Sequence, residues 1–381
     1  MPCQPPMESC RATVSGKRIT RQDMAAPLKV LYLLHDSRRS GVPAVAHAFI
    51  MHAGDANVEP SVLFAYNGIY ADELRNAGIP VQTLGQRSPF VWRCKRFLLN
   101  LFLIVRGQQY DVVHIHSIKL AWSVLIARLL GIKTVFHLHE LPRRIGWLIR
   151  TAIAAADATV FCSATCAAHF ASVPARMKRT ILNAVAFPKQ QVVSHSNDKT
   201  LRIVMAASLN KLKGQDILLN AFARLHNSNA ELWLYGTTGL SAHGYVRGLK
   251  QYAAAHGIAD RVFFPGPTSD IFSVFSKAAV VVHTSWTESF GMALVEAQSC
   301  GVPVIAHDLG GMREVVADGV SGYLIPPGDV AMLAERLEEL LASPELRNRL
   351  GNEGSRLMRE RFDIRQRTDD YRRLYDEICT L

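Results

Sequence analysis

Apolar runs alternate with amphipathic stretches along most of the chain, starting at residue 28. The first run, LKVLYLLHD at 28–36, is continuous and ends in polar residues, as a buried parallel strand does. Similar runs follow in the first half, with helix-like segments between them, at 60–68, 80–85, 110–117, 133–140 and 157–163. This alternation predicts a doubly wound parallel sheet.

The same alternation restarts after a polar, unpatterned segment at 187–200, which we interpret as a linker. Strand-like runs in the second half lie at 201–208, 231–236, 261–266, 278–285 and 302–308. The sequence therefore predicts two α/β domains, at 28–186 and 201–360, and a C-terminal helix at 361–381 that returns to the first domain. Residues 1–27 are polar and are predicted to form a disordered tail rather than a secretory signal.

Composition narrows the function classes. A length of 381 residues fits two domains, and the formal charge of +11 favours anionic partners. The seven cysteines form no CxxC pair, which indicates reduced thiols in a cytoplasmic protein rather than disulfides or a zinc site. The sequence contains no motif of aromatic and basic residues that would indicate nucleic-acid binding. The longest strongly apolar run, 97–105, is too short to span a membrane, so the protein is expected to be soluble or surface-attached.

The segment TSWTESFGMALVEAQSCGVPVIA, at 284–306, places two carboxylates in otherwise apolar surroundings. A buried strand precedes it, and a helix is predicted from about Ser289 to Gly301. Glu288 then lies at the helix start, and Glu296 lies further along the same helix. Free N–H groups near Phe290 and Gly291 would favour an anion such as phosphate.

This Glu-x7-Glu spacing, with its SWTESFG and CGVPVIA flanks, resembles the nucleotide-sugar site of retaining glycosyltransferases of family 4. The resemblance extends over almost the whole chain from Lys29. It implies two Rossmann-like domains facing a cleft (the GT-B fold), with Glu288 on the donor sugar and Glu296 on the ribose. The residues alone leave open a simpler alternative, in which one acid caps the helix and the other is exposed.

The resemblance also assigns roles elsewhere in the cleft. Lys213 matches a lysine that clamps the diphosphate, and His139 matches a histidine near the donor sugar. Ser208 stands where the family has an arginine, and Lys211 is a candidate to replace that charge. His116 and Glu140 are weaker candidates for the cleft. The remaining predicted donor-binding residues are Gly41, Gly236, Ser285, Phe290 and Gly291. The family's Asn-Gly-Val-Asp stretch is NAVA here and retains only Asn183.

The implied activity is retaining transfer of a hexose from a nucleotide-sugar donor to a saccharide or lipid-linked saccharide acceptor, in cell-surface polysaccharide synthesis. His114 and His116, like His137 and His139, share a strand face, which raises the question of a metal site. No further ligand cluster accompanies them, so no metal or other cofactor is expected. A nucleotide-sugar epimerase and a non-catalytic nucleotide-sugar-binding relative remain as alternatives.

Two basic, aromatic segments raise the possibility of membrane attachment. Residues 88–109 place Arg93, Lys95, Arg96 and Arg106 among apolar side chains, and 141–152 adds three arginines beside Trp147. One interpretation is a pair of helices packed on the first sheet with their basic ends in water. The other is an amphipathic face lying on an anionic bilayer, which would make the protein peripheral on the inner face of the cytoplasmic membrane.

Overall fold

The computed structural model describes residues 26–85, 92–187, 200–227, 229–239 and 242–381. Most of the predicted N-terminal tail (1–25) and linker (188–199) lies outside the described residues. The described residues form two parallel sheets, each flanked by helices. This arrangement confirms the predicted class of two doubly wound α/β domains.

The first sheet has seven strands in the order β3-β2-β1-β4-β5-β6-β7, and all its pairings are parallel. Its central strands are almost completely buried, because helices cover both faces. The strands are β1 (Leu28–Leu34), β2 (Val58–Phe64), β3 (Val81–Thr83), β4 (Val112–His116), β5 (Lys133–Leu138), β6 (Ala158–Phe161) and β7 (Lys178–Thr180). The helices are α1 (Gly41–Met51), α2 (Ile69–Asn76), α3 (Trp92–Arg106), α4 (Ala121–Leu129), α5 (Trp147–Ala155) and α6 (Ala164–His169).

The second sheet has six parallel strands in the order β10-β9-β8-β11-β12-β13. Its strands are β8 (Leu201–Ala206), β9 (Ala230–Tyr235), β10 (Val262–Gly266), β11 (Val280–His283), β12 (Val304–His307) and β13 (Gly322–Ile325). The helices are α7 (Gln215–Phe222), α8 (His243–Ala255), α9 (Ile271–Phe275), α10 (Met292–Ser299), α11 (Met312–Val315), α12 (Val330–Ala342), α13 (Pro344–Arg361) and α14 (Ile364–Thr380).

The last helix, α14, packs on the first sheet although it follows the second sheet in the chain. Its buried residues, which include Ile364 and Tyr375, share one core cluster with Val30 and Tyr32 of β1. The N-cap residue of α14, Asp363, forms a parallel bridge to Val185 at the end of the first half. The chain therefore crosses between the two sheets twice, and the second crossing ties them together by apolar burial.

Three local features differ from the sequence-based expectation. The short strands β7 and β13 were not predicted, and each lies at a sheet edge. Helix α10 begins at Met292 rather than near Ser289, because Gly291 adopts a left-handed φ of 105°. Lys95 is buried, with its ammonium 4.4 Å from the centre of the Tyr66 ring, and so is not part of a basic outer face. In the part of the chain that the structure describes, no helix combines the length and apolarity needed to cross a bilayer.

Candidate active site in the cleft

A cavity of about 560 Å³ lies between the two domains, where the carboxyl ends of strands from both sheets meet. This is where open α/β sheets bind ligands. The cavity is lined by most of the residues predicted for the site, namely His139, Gly41, Ser208, Lys213, Gly236, Glu288, Phe290, Gly291 and Glu296. The structure therefore brings together residues that lie up to 255 positions apart, counted from Gly41 to Glu296.

Glu288 is held by two cationic or polar partners at the centre of this cleft. The Lys213 ammonium donates to Glu288 Oε2 at 2.8 Å, and His283 Nε2–H donates to the same oxygen at 3.0 Å. Burial would raise the pKa of Glu288, but Lys213 and His283 more than offset it and hold the pKa well below its usual range. Oε1 has no hydrogen-bond partner among the described residues. An ionised carboxylate with a free oxygen therefore borders the cavity, ready to accept a hydroxyl donor.

The turn that carries Lys213 is fastened to the strand that precedes Glu288. The Thr284 hydroxyl donates to the Gly214 carbonyl at 2.8 Å, and Trp286 N–H donates to the Leu212 carbonyl at 2.9 Å. These contacts fix the separation of Lys213 and Glu288 through the backbone. Ordered backbone on both sides reduces the entropy cost of holding the two charges together.

The start of helix α10 offers several backbone donors to the cavity. The N–H groups of residues 290–293 make no hydrogen bond to any described residue, and all four residues line the cavity. Gly291 caps the helix and has no side chain to obstruct approach from the cavity. A helix start of this kind favours an anion, because its N–H groups and the helix dipole both attract negative charge.

Glu296 is the second carboxylate of the cleft, and burial raises its pKa from 4.5 to about 7. Its carboxylate has no hydrogen-bond or ion-pair partner among the described residues. Glu296 is half-buried, and an acid withdrawn from water in this way without a partner destabilises the fold whenever it is ionised. Its position along the same cavity is consistent with a ligand that supplies the missing donors.

We expect Glu296→Gln to stabilise the protein at pH 8 while weakening ligand binding in the cleft. Glu296 loses its proton near pH 4.5 in the unfolded chain and near pH 7 in the folded protein. The free energy of unfolding therefore falls as the pH rises from 4.5 to 7. The penalty is fully present above pH 7 and amounts to at most about 3.5 kcal/mol, at about 1.4 kcal/mol per pKa unit. Thermal unfolding of Glu296→Gln at pH 8 and pH 5 measures this, and the gain should shrink at pH 5.

Glu335→Gln, on an exposed helix face, is the matched control for that experiment and should leave the unfolding temperature unchanged at both pH values. A lower unfolding temperature for Glu296→Gln at pH 8 would contradict the assignment of Glu296 as an unpaired buried acid.

The first domain contributes His139 and two basic side chains to the cleft. His139 Nε2 lies 3.1 Å from His116 Nδ1, so a hydrogen bond to His116 helps to position the His139 ring. Glu140 also lines the cavity and accepts from the hydroxyl of Ser117. Among the described residues that line the cavity, the lysines and arginines are Arg39, Lys119 and Lys213. Two of these three charges therefore come from the domain opposite the Glu288 loop.

Two of the predicted donor-binding residues do not line the cleft. Lys211 lines a separate groove between α7 and α8, so it is not placed to replace the charge missing at Ser208. Ser285 is fully buried, and its hydroxyl donates to the Leu212 carbonyl at 3.4 Å. Ser285 therefore helps to hold the Lys213 turn. Ser208 does line the cavity, and its carbonyl accepts from the Gln215 amide at 3.0 Å.

Comparison with known families bears directly on this cleft. The family described as Glycosyl transferases group 1 matches residues 186–357, which contain Lys213, Glu288 and Glu296. The family described as Glycosyltransferase Family 4 matches residues 39–186, which contain Gly41 and His139. The chain belongs to the group 1/family 4 glycosyltransferases. The predicted family is thus confirmed.

Individual relatives match this family member less completely. A D-inositol 3-phosphate glycosyltransferase of Frankia alni is 38% identical over 156 residues, which are 39% of this chain and 38% of the relative. A similar protein of Thermobifida fusca is 36% identical over 165 residues. The chain thus aligns with well under half the length of these curated relatives.

Solved structures establish the fold of this family member as GT-B. Anabaena HepE, crystallised with UDP and glucose, superposes with a TM-score of 0.79 over 92% of this chain and 100% of its own, at 21% identity. A glycosyltransferase from Rickettsia africae gives a TM-score of 0.76 over 93% and 99%, at 18% identity. The two domains and the cleft between them are therefore the common architecture of these enzymes.

The domains of this family member touch through backbone and side-chain contacts next to the Glu288 loop. The Glu314 carboxylate accepts from the N–H groups of Ala164 and Thr165 at 2.8 and 2.7 Å, at the start of α6 in the other domain. The Ser163 hydroxyl donates to the Ser289 carbonyl at 2.5 Å. The loop that carries Glu288 is thus braced from across the cleft.

Sequence reasoning missed two polar partners in this site. His283 falls in the predicted strand at 278–285 and was not predicted as a site residue, yet it is the second partner of Glu288. A histidine at the end of a buried strand, five residues before a cleft acid, was the available signal. Arg39 lies in the loop after β1, where only Gly41 was predicted for the site. Its guanidinium contacts Glu73 at 2.5 Å and lies over the Tyr70 ring.

Proposed function

We propose that the chain transfers a sugar from a nucleoside-diphosphate sugar to an acceptor hydroxyl with retention of anomeric configuration. The observation that carries the proposal is the Glu288–Lys213 pair beside the unpaired N–H groups of residues 290–293. These groups offer a hydroxyl acceptor, a fixed positive charge and an anion site along one cavity. A nucleoside-diphosphate sugar carries sugar hydroxyls that match the hydroxyl acceptor, and a diphosphate that matches the positive charge and the anion site.

In this proposal the protein acts mainly by electrostatics. Lys213 and the α10 start stabilise the negative charge that develops on the leaving diphosphate, and they are already in place before reaction. Glu288 Oε1 accepts from a hydroxyl of the donor sugar, which orients the anomeric carbon. A phosphate oxygen of the leaving group takes the proton of the acceptor hydroxyl. Because protein groups supply the positive charge, the transfer is expected to need no metal ion.

Donor identity is the first test. A thermal-shift panel of UDP-, GDP-, ADP- and dTDP-sugars reports binding, because a ligand that binds only the folded state raises the unfolding temperature. UDP-glucose leads the panel because Anabaena HepE was crystallised with it. NMR of the product then reports the anomeric configuration. An inverted product would overturn the retention proposal, and conversion of the donor without any acceptor would indicate an epimerase instead.

The proposed acceptor is a saccharide or lipid-linked saccharide that enters from the first domain. Arg39 and Lys119 provide positive charge on that side of the cavity, which favours an acceptor carrying an anionic group. Inositol phosphate belongs in the acceptor panel, since the relative from Frankia alni is named for it. Lipid-linked saccharides form the other arm, and the two arms distinguish a soluble acceptor from a membrane-borne one.

The outer face of α3, α4 and α5 supports a membrane-borne acceptor. We call this face the apolar patch. Phe97 and Val105 are each 66% exposed, and Trp147 is 67% exposed and meets Trp122 edge to face at 5.8 Å. Other exposed apolar side chains on the patch are Leu98, Leu101, Ile104 and Leu129. Exposed basic residues beside it are Arg106, Arg143, Arg144 and Arg150. Exposed apolar side chains with arginines on the same helices and in the adjoining loop fit an anionic bilayer.

We expect the protein to sediment with vesicles that contain phosphatidylglycerol at low salt, and to be released as salt rises. Screening weakens attraction between the arginines and the lipid headgroups. Phe97→Ser/Val105→Ser/Trp147→Ser should reduce sedimentation, because each change removes exposed apolar area without opening the core. The control Met51→Ser/Val320→Ser, at exposed positions elsewhere, should bind normally. Wild-type protein that stays in the supernatant would favour a soluble acceptor.

A further inference from the structure

Four histidines form a compact block on one face of the first sheet. His116 of β4 pairs in register with His137 of β5. His114 lies two residues before His116 on β4, and His139 lies two residues after His137, directly past the end of β5. Alternate residues share a face, so the parallel register places all four imidazoles side by side. Sequence spacing alone does not reveal this, because the register between β4 and β5 decides which histidines meet. We call these residues the histidine block.

The histidine block is enclosed by the fold. His114, His116 and His137 are at most 1% exposed, and α14 covers them with Tyr371 and Tyr375. Burial lowers the pKa of His114 to about 3 and holds the pKa of His116 and His137 well below the usual range. The rings are therefore neutral near pH 7, and each has one nitrogen lone pair.

Each of these three rings has one nitrogen tied to a neighbour. His114 Nδ1 lies 2.6 Å from the Tyr375 hydroxyl, and His116 Nδ1 lies 3.1 Å from His139 Nε2. The Tyr371 hydroxyl lies 3.2 Å from His137 Nδ1 and 3.4 Å from His137 Nε2, so Nδ1 is its nearer partner. When each tied nitrogen carries the proton, the lone pair is on the other nitrogen of the ring. Outer hydrogen bonds of this kind are how proteins orient metal-binding histidines.

Two of the remaining nitrogens lack protein partners among the described residues. His114 Nε2 and His116 Nε2 are both buried without a hydrogen-bond partner. One ring nitrogen from each of His114, His116 and His137 lies within 4.8 Å of the others. An unpaired buried polar atom is costly, and two that converge on one point need a common partner. A single metal ion can bind several lone pairs at once. Nitrogens that carry only a lone pair cannot hydrogen-bond to one another.

We propose that His114, His116 and His137 bind a divalent transition metal ion, with Zn²⁺ as the best fit to three imidazoles. Imidazole nitrogen suits Zn²⁺, Ni²⁺ and Cu²⁺, and disfavours Mg²⁺ and Ca²⁺, which prefer oxygen. The site differs from the donor cleft in residues and in role. A metal there would cross-link β4 to β5 beneath α14, and its effect would be on stability and on the placement of His139, which contacts His116.

The test uses the tag-free full chain, so that no added histidines compete. We expect about one equivalent of bound metal per chain after Zn²⁺ loading and gel filtration, and a higher unfolding temperature in Zn²⁺ but not in Mg²⁺. Co²⁺ in place of Zn²⁺ should give visible absorption, and X-ray absorption should count three imidazole nitrogens. Wild-type protein that binds no metal, or binds it through fewer than three imidazoles, overturns the proposal.

Variants locate the metal. His114→Gln and His137→Gln should each lose the bound equivalent and the Zn²⁺-dependent rise in unfolding temperature. His226→Gln, whose side chain is 96% exposed, is the matched control and should retain both. If both histidine-block variants retain the metal, the metal is bound elsewhere and the proposal is overturned. If a histidine-block variant fails to fold, the number of imidazole ligands counted in the wild-type Co²⁺ protein decides the question on its own.

Discussion

Glu288→Gln should lower kcat/KM for sugar transfer on the order of 100-fold while leaving the fold intact. A hydrogen bond to a charged group contributes up to about 3 kcal/mol, which corresponds to about two orders of magnitude in rate. Gln keeps the size of the side chain but removes the negative charge that accepts from the sugar hydroxyl. Lys213, released from its partner, is 27% exposed and can be solvated, so the folding cost is small.

Steady-state kinetics over a range of donor concentrations measure this effect, and circular dichroism checks the fold. Because the pKa of Glu288 lies well below its usual range, the carboxylate stays ionised across the neutral range, and the wild-type rate should show no acid limb from this residue. Glu339→Gln is the matched control, since it breaks the Arg336–Glu339 pair far from the cleft. Wild-type turnover in Glu288→Gln would remove Glu288 from the donor site.

The strand pattern of this fold was predictable because most of its strands are buried on both faces. Runs such as 28–36 and 133–140 are continuous and apolar, which is what a parallel sheet between two helix layers requires. The exceptions are edge strands. Strand β7 reads Lys-Arg-Thr and is largely exposed, so no apolar run marks it. Strand β13 is only four residues long, and a turn-rich stretch surrounds it.

Site residues were predictable where the chain itself carries the geometry, and not where tertiary packing does. Glu288 and Glu296 lie in one segment, and both line the cleft. Lys211 and Lys213 are two residues apart in the same turn, and spacing cannot tell which of them turns toward the cavity. Only the contacts of Thr284 and Trp286 with that turn settle its orientation.

Surface chemistry was the least predictable part. Lys95 belongs to a basic stretch, yet its stem is buried and its ammonium lies against Tyr66, because α3 rotates this position toward the sheet. Arg93 was predicted for the same outer face, and its side chain lies outside the described residues. The apolar patch therefore rests on α3 residues further along the helix, together with α4 and α5. A helix orientation depends on which face buries more apolar area, which a single charge cluster does not decide.

Lys213→Ala should weaken binding of a nucleoside diphosphate by about 10- to 100-fold, because a charge-assisted contact to phosphate is worth about 1.5–3 kcal/mol. It should also destabilise the fold, since Glu288 is left with His283 as its only described partner. Breaking a fully buried pair costs about 3–5 kcal/mol. Here the side chains keep 27% and 16% exposure, so we expect about the lower end of that range at most.

The double variant Lys213→Ala/Glu288→Gln separates the two roles of this pair. Removing the orphaned charge should recover much of the lost stability, while affinity for UDP stays low because the phosphate still lacks its lysine. Isothermal titration with UDP and thermal unfolding measure the two quantities independently. Lys211→Ala is the matched control, since it removes the same charge from the same turn but from outside the cleft, and it should leave UDP affinity unchanged. Equal losses for Lys211→Ala and Lys213→Ala would mean that the turn acts through its overall charge, and the specific contact of Lys213 with the diphosphate would be refuted.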